Sequence, residues 1–253
     1  MPQLSIWIIV QARTASHRLP AKVLLPMLGK PMIIRQLERI QHASRTKNLV
    51  VATSNLKSDD CLAQLLEKEG YKVFRGSNQD VLDRIYRAAT KYGATDVVRI
   101  TADCPLIDPN VIDFVVESHV ESQAEYTTNT YPPTYPDGLD VEVISYPTLT
   151  KIWNLAEKPS EREHVTLYIK NNYLDFKIKN VVSDIDLSSL RWTVDEERDF
   201  RFVDAVYSAL FHENYKFSMG DILSLLDKYP ELIEINSGIM RDEGLRISLE
   251  GEQ

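Results

Sequence analysis

The chain has 253 residues and a mass of 29.0 kDa, enough for one large domain or two small ones whose core needs no disulfide or metal staple. Its 43% hydrophobic and 26% charged residues exclude the collagenous, low-complexity and wholly disordered classes. A formal net charge of -8 denies the chain a broad positive field, so neither nucleic acid nor membrane is an expected partner and small ligands remain.

Residues 4–10 (Leu-Ser-Ile-Trp-Ile-Ile-Val) are a β-rich apolar run that predicts a strand covered on both faces. The run is far below the roughly 18 residues of a spanning helix, and no signal-peptide pattern accompanies it, so the expected location is cytoplasmic. Cys61 and Cys104 provide neither a disulfide framework nor a zinc ligand set. From Pro31, the residues Met32, Ile33, Ile34, Leu37 and Ile40 recur at helical spacing. Strand and helix then alternate: strands over 49–53, 71–75 and 97–101, helices over 58–69, 79–92 and 109–119. Such βαβ units predict an α/β fold with a mainly parallel sheet.

Beyond residue 125 the pattern changes. The Pro-rich stretch 131–138 precedes Leu139, Val141 and Val143 alternating with Asp140 and Glu142, which predicts an antiparallel excursion with one wet face. Helices over 147–156 and 160–171, a strand over 176–182, the run Arg191-Trp-Thr-Val194 and a helix over 196–211 follow. Without an internal repeat or a flexible linker, the expectation is a single domain over 1–230 with an inserted subregion at about 126–185, followed by a weakly patterned tail over 231–253.

Charge is unevenly placed. An even spread of the 37 acidic residues would put about five in the first 37 positions, yet the first acid is Glu38, while Arg13, Arg18, Lys22, Lys30 and Arg35 all lie before it. A cationic loop just beyond the first strand of an α/β sheet points to a bound anion. No G-x-G pair is present, which disfavours a dinucleotide, and Leu24 and Pro31 break the P-loop pattern around Gly29-Lys30. Arg13, Arg18 and Lys22 instead suit a triphosphate held by side-chain charge. Asp103 and Asp195 each follow a predicted strand, where two carboxylates can hold Mg²⁺; each also suits a helix cap or a turn.

These residues carry a resemblance. Gln11-Ala-Arg13-Thr-Ala-Ser16-His-Arg18-Leu-Pro-Ala-Lys22, with Gly29-Lys-Pro-Met32, resembles the opening motif of the cytidylyltransferases that make CMP-sialate and CMP-KDO. The blocks 75–84, 101–107, 138–142, 160–165 and 191–195 narrow it to the branch named for spore coat polysaccharide biosynthesis protein F. The resemblance implies a Rossmann-like nucleotidyltransferase fold and transfer of CMP from CTP to an acidic sugar or phosphorylated small-molecule acceptor, with release of pyrophosphate. It implies catalytic roles for Arg13, Lys22, Asp103 and Asp195, and Mg²⁺ at the two aspartates. It places Gln11, Ala12, Arg13, Ser16, Arg18, Lys22, Arg75 and Ser77 at the nucleotide, and it implies a homodimer. Ala12 stands where relatives that use sugar phosphates often have glycine.

Other residues carry two readings each. Asp140 and Glu142 share a strand face and suit acceptor hydroxyls or a plain solvent-facing edge. Arg162 and His164 suit an anionic acceptor, while Ser160 and Glu163 form a capping-box pattern. Asp80 with Arg84, and Asp83 with Arg87, read as surface ion pairs at helical spacing. His17 reads as a loop histidine within reach of phosphate. Asp184-Ile-Asp186 offers a rival, the D-x-D of a metal-dependent glycosyltransferase, and a non-catalytic nucleotide-binding protein is a second rival.

Overall fold

The structure is a computed structural model and describes residues 4–16, 18–241 and 243–252. In chain order its elements are β1 (Ile6–Gln11), β2 (Pro26–Met27), β3 (Lys30–Pro31), α1 (Met32–Ile40), β4 (Leu49–Ser54), α2 (Asp60–Lys68), β5 (Lys72–Gly76), α3 (Val81–Tyr92), β6 (Asp96–Thr101) and α4 (Pro109–Ser122). Then come β7 (Tyr126–Thr128), β8 (Glu142–Ser145), α5 (Tyr146–Leu155), α6 (Pro159–Glu163), α7 (Leu167–Asn171), β9 (Ile178–Asn180), α8 (Glu197–Leu210), α9 (Met219–Lys228), α10 (Glu231–Glu234) and α11 (Glu243–Glu250).

The main sheet runs β5-β4-β1-β6-β8-β7-β9. β1 is parallel to β4 and β6, β4 is parallel to β5, and β8 is antiparallel to both β6 and β7. Ile8, Ile9 and Val10 are sealed between two hydrophobic layers, one on each sheet face, because helices cover both sides. Burying each such side chain stabilises the fold by about 1.5–3 kcal/mol. Chain order reverses between β4 and β6 on either side of β1, so their carboxyl ends open a crevice. Helix starts are well marked. Asp80 caps α3 by accepting from the Asp83 amide at 2.8 Å, and Asp108 caps α4 ahead of Pro109. No helix among the described residues is long and apolar enough to cross a membrane.

Four details differ from the sequence expectation. The helix expected over 160–171 is broken into α6 and α7 at His164-Val165-Thr166, where Val165 is buried and Thr166 Oγ1 donates to Glu142 at 2.7 Å. The capping box does not form. Lys158 precedes α6, Ser160 lies inside it, and the Glu163 carboxylate faces Arg13 at 3.4 Å. The wet strand face forms only in part: Asp140 is half-buried ahead of β8, but Glu142 is buried opposite Arg99 of β6, where Thr166 and, from α7, Lys170 meet it. Finally, Asp83 and Arg87 do pair at 2.7 Å, but Asp80 turns to Arg162 and Arg84 is buried, donating to the Ser77 carbonyl at 2.7 Å.

A close backbone crossing places the end of the sheet. Asp137 donates its amide to the Leu190 carbonyl at 2.9 Å and accepts from the Trp192 amide at 2.6 Å. Gly138 makes this approach possible: its φ is +108°, and a Cβ there would lie 2.5 Å from the Thr193 nitrogen.

Candidate functional site

The loop after β1 is anchored at its start. The Ala12 amide donates to the Ala52 carbonyl at 3.1 Å, and Thr14 gives its amide and hydroxyl to Asp59 Oδ1 at 2.7 and 2.6 Å. Asp59 is 1% exposed. Burial opposes its ionisation, but hydrogen bonds from Ser54 and Thr14 outweigh that and keep its carboxyl below the usual range. Lys30 and Arg35 both turn to Glu38 and take no part in the crevice. His17 lies outside the described residues.

At the crevice floor, Lys22 Nζ donates to Asp103 Oδ2 at 3.0 Å, Asp195 Oδ1 at 2.9 Å and the Val194 carbonyl at 2.7 Å. Asp103 follows β6. Its carbonyl accepts from the Val194 amide at 2.7 Å and the Thr193 hydroxyl at 3.1 Å, so the two aspartates arrive on backbones tied together. Burial works against both charges, yet the pairing wins: Lys22 is raised above its ordinary value and Asp103 is held down to about 2. Arg18 meets Asp195 Oδ1 at 3.0 Å and Glu243 at 2.5 Å.

Asp195 is fixed from behind. The Arg191 guanidinium reaches Asp195 Oδ2 at 3.0 Å, Asp137 at 2.8 Å and Asp199 at 2.9 and 3.0 Å. Fully buried Asp199 also accepts the amides of Asp195 and Glu196, at 2.9 and 3.0 Å, and Asn236 braces Arg191 and Asp199 together. Burial opposes the charge on Arg191, but Asp199, Asp137 and Asp195 outweigh it and raise its pKa. This leaves Asp195 Oδ1 turned toward Lys22 and Arg18. Burial, reinforced by Asp140, pushes Asp137 up to about 7 against the pull of Arg241 and Arg191.

A cavity of about 280 Å³ runs from Asp103, Asp195 and Arg18 toward β6, β8 and α7. Its far wall is a buried network. Arg99 donates to Gln11 Oε1 at 2.9 and 3.2 Å and pairs with Glu142, which also accepts from Tyr126 at 2.5 Å and Thr166 at 2.7 Å and lies 3.9 Å from Lys170. Burial raises the Glu142 pKa, but Arg99, Lys170 and the two hydroxyls bring it down to about 2. Asp140 and His164 also line the cavity, Asp140 bonded to Arg241 at 2.5 Å and His164 to Ser248 at 2.9 Å.

The structure therefore brings Arg18, Asp103 and Asp195 to one end of a cavity, with Lys22 buried against the two aspartates and not itself on the wall, and Gln11, Asp140, Glu142 and His164 to its other walls. Arg13 faces Glu163, Ala12 is buried, and Ser16 supports the loop by accepting weakly from the Leu19 amide at 3.4 Å. Arg75, Ser77 and Arg162 are not among the cavity walls. Arg75 holds Asp60 and two carbonyls, Ser77 accepts from the Asp80 amide, and Arg162 binds Asp80. Beside Ser77, Asn78 Oδ1 and Arg84 Nε are buried without a hydrogen-bond partner among the described residues. Asp184 and Asp186 are exposed and lie outside the cavity walls, which removes the glycosyltransferase rival's metal motif from the site.

Sequence reasoning missed Asp59, Arg99, Asp137, Thr166, Lys170, Arg241 and Glu243. Arg99, a cation inside an apolar strand, was the one legible signal. As for Mg²⁺, no group of three or more His, Cys, Asp or Glu side chains is placed to hold a metal ion among the described residues. The donor set nevertheless fits. Two hard carboxylates converge on one cationic atom, and Mg²⁺ is ordinarily held by one or two carboxylates together with substrate phosphates.

Comparison with known proteins gives the family. A family model described as cytidylyltransferase matches residues 7–247. The spore coat polysaccharide biosynthesis protein SpsF of Bacillus subtilis is 30% identical over 233 residues, 89% of this chain and 95% of that protein. A cytidylyltransferase structure from Leptospira borgpetersenii superposes with a TM-score of 0.89 at 32% identity, covering 94% of this chain and 100% of the other. A CMP:2-keto-3-deoxy-manno-octonic acid synthetase solved with CTP shares the fold at a TM-score of 0.63 and 19% identity, covering 81% of this chain and 99% of its own. With that model spanning nearly the whole chain over a Rossmann-like sheet and a cationic first loop, the protein belongs to the cytidylyltransferase family.

Proposed function

We propose that the protein transfers CMP from CTP to an acidic sugar or a related phosphorylated acceptor, releasing pyrophosphate, in the synthesis of a surface polysaccharide. The observation that carries this reading is the convergence of Lys22, Asp103 and Asp195, with Arg18 on the same aspartate. In-line attack on the α-phosphorus builds charge on the non-bridging and leaving oxygens, so catalysis is mostly positioning and neutralisation. Lys22 and Arg18 meet the departing pyrophosphate, and Arg13 supports it from the same loop. Mg²⁺, held by Asp103 and Asp195, would supply charge neutralisation at the phosphates and a lowered pKa for the acceptor hydroxyl. Asp199 and Arg191 hold Asp195 in its orientation.

On this reading Arg99, Lys170, His164 and Arg241 select an anionic acceptor and Asp140 its hydroxyls, while the far wall around Glu142 keeps water from the reacting oxygen. The name SpsF and the CTP-bound synthetase support the polysaccharide setting and the CTP donor, and the active form is proposed to be a homodimer. The test is pyrophosphate release with Mg²⁺, each nucleoside triphosphate in turn, and a panel of sialic-type keto acids, KDO-type acids and phosphorylated small molecules. Release confined to CTP with one of these anionic acceptors supports the proposal; no release with CTP and any of them, or release that is equal with every nucleoside triphosphate, contradicts it.

A further inference from the structure

The C-terminal segment reaches back over the cavity and bonds both of its ends. Arg18 donates to Glu243 at 2.5 Å at the phosphate end, and Arg241 donates to Asp140 at 2.5 Å on the acceptor side. One face of α11 continues this: Ser248 bonds His164 at 2.9 Å and donates to Glu163 at 3.2 Å, and Glu163 in turn faces Arg13. Both loop arginines are thus tied to α11, Arg18 directly and Arg13 through Glu163.

Two observations show that this attachment is made to yield. No residue of α11 is buried, and Ile247 is 55% exposed, so the helix is held by polar contacts rather than by core packing. Segments held in this way open at low free-energy cost. The cavity beneath it measures about 280 Å³, just below the range of about 300–1,000 Å³ usual for a pocket that holds a single small ligand. A nucleotide and an acceptor together need more room than that.

We propose that Glu243 is a phosphate-mimicking latch and a positioning residue for Arg18. Its carboxylate holds the guanidinium until a phosphate takes its place, and the exchange frees α11 from His164 and Glu163, opening the acceptor end. A phosphate group offers Arg18 the same oxygen geometry with more charge, so the exchange runs toward the nucleotide. Nucleotide therefore enters first and acceptor second. This inference rests on the reading that Arg18 meets the triphosphate.

The test uses the full-length protein, wild type and Glu243→Gln, with Mg²⁺ and inorganic pyrophosphate as the probe. Calorimetry gives the pyrophosphate Kd, and amide hydrogen exchange reports on residues 243–252. Arg18 and Glu243 side chains are each 30% exposed, so losing their attraction is expected to lower the Kd by about two- to fivefold. Pyrophosphate is expected to accelerate exchange across α11 in the wild type, while Glu243→Gln shows fast exchange without it. Equal or slower α11 exchange with pyrophosphate bound, together with an unchanged Kd in Glu243→Gln, overturns the latch alone. Failure of the wild type to bind pyrophosphate at millimolar concentration overturns the site reading and the latch with it.

Discussion

Replacing Lys22 by Met removes the cation that joins Asp103 to Asp195 while keeping the apolar stem of the side chain. Two consequences can be worked from the geometry. The first concerns rate: removal of one preorganised charge-stabilising donor costs about two to three orders of magnitude in turnover, and Lys22 is expected to fall in that range. The second concerns stability. Asp103 is held at about 2 against an ordinary 3.8, opposed by burial and favoured first by Lys22. That difference corresponds to about 2 kcal/mol of stability at neutral pH, as an upper figure. Because the folded-state pKa is depressed, this contribution is complete above the unfolded value and is lost as pH falls through the folded one. Wild-type stability should therefore decline between about pH 4 and pH 2 more steeply than that of Lys22→Met. Urea unfolding over pH 2–7, read beside pyrophosphate release at neutral pH, measures both. Turnover within a few fold of wild type, or an acid limb of unchanged slope, refutes the reasoning.

Three further perturbations follow from the site. Gly138→Ala drives a Cβ against the Thr193 amide and is expected to cost about 2–4 kcal/mol in urea unfolding and to lower turnover, since the displaced segment carries Arg191 and Asp195; an unchanged unfolding midpoint contradicts the crossing. Asp59→Asn loses the charge that accepts two bonds from Thr14 and is expected to cost about 1–3 kcal/mol and to raise KM for CTP more than KM for the acceptor; equal rises would separate Asp59 from the nucleotide loop. Glu142→Gln leaves Arg99 buried beside a neutral partner, a loss of about 3–5 kcal/mol by analogy with broken buried pairs, and steady-state kinetics should show KM for the acceptor rising while KM for CTP holds.

Much of the architecture was legible because its signals are local. The apolar run over residues 4–10 and the helical spacing from Met32 to Ile40 predict β1 and α1 without any knowledge of neighbours. The residue types at the site were legible too, since a cationic first loop and two aspartates after strands point to the carboxyl edge of the sheet. What stayed hidden depends on distant partners. Thr166 leaves the helical path to meet Glu142, 24 residues earlier in the chain, and this breaks the predicted helix. Glu142 looked like one of two acids on a wet face because nothing in its own strand shows that Arg99, Thr166 and Lys170 enclose it. Asp59 holds Thr14 across 45 residues, and Arg191, marked only as part of a strand-like run, proves to be the hub of three carboxylates. The tail carried little periodicity because α11 is held by polar side chains rather than by an apolar face.

The measurement that tests the central claim most directly is a crystal structure of the protein with CTP and Mg²⁺. The account predicts the triphosphate against Lys22 and Arg18, with the metal ligated by Asp103 and Asp195. A triphosphate bound away from this loop, or a metal held without either aspartate, would contradict it.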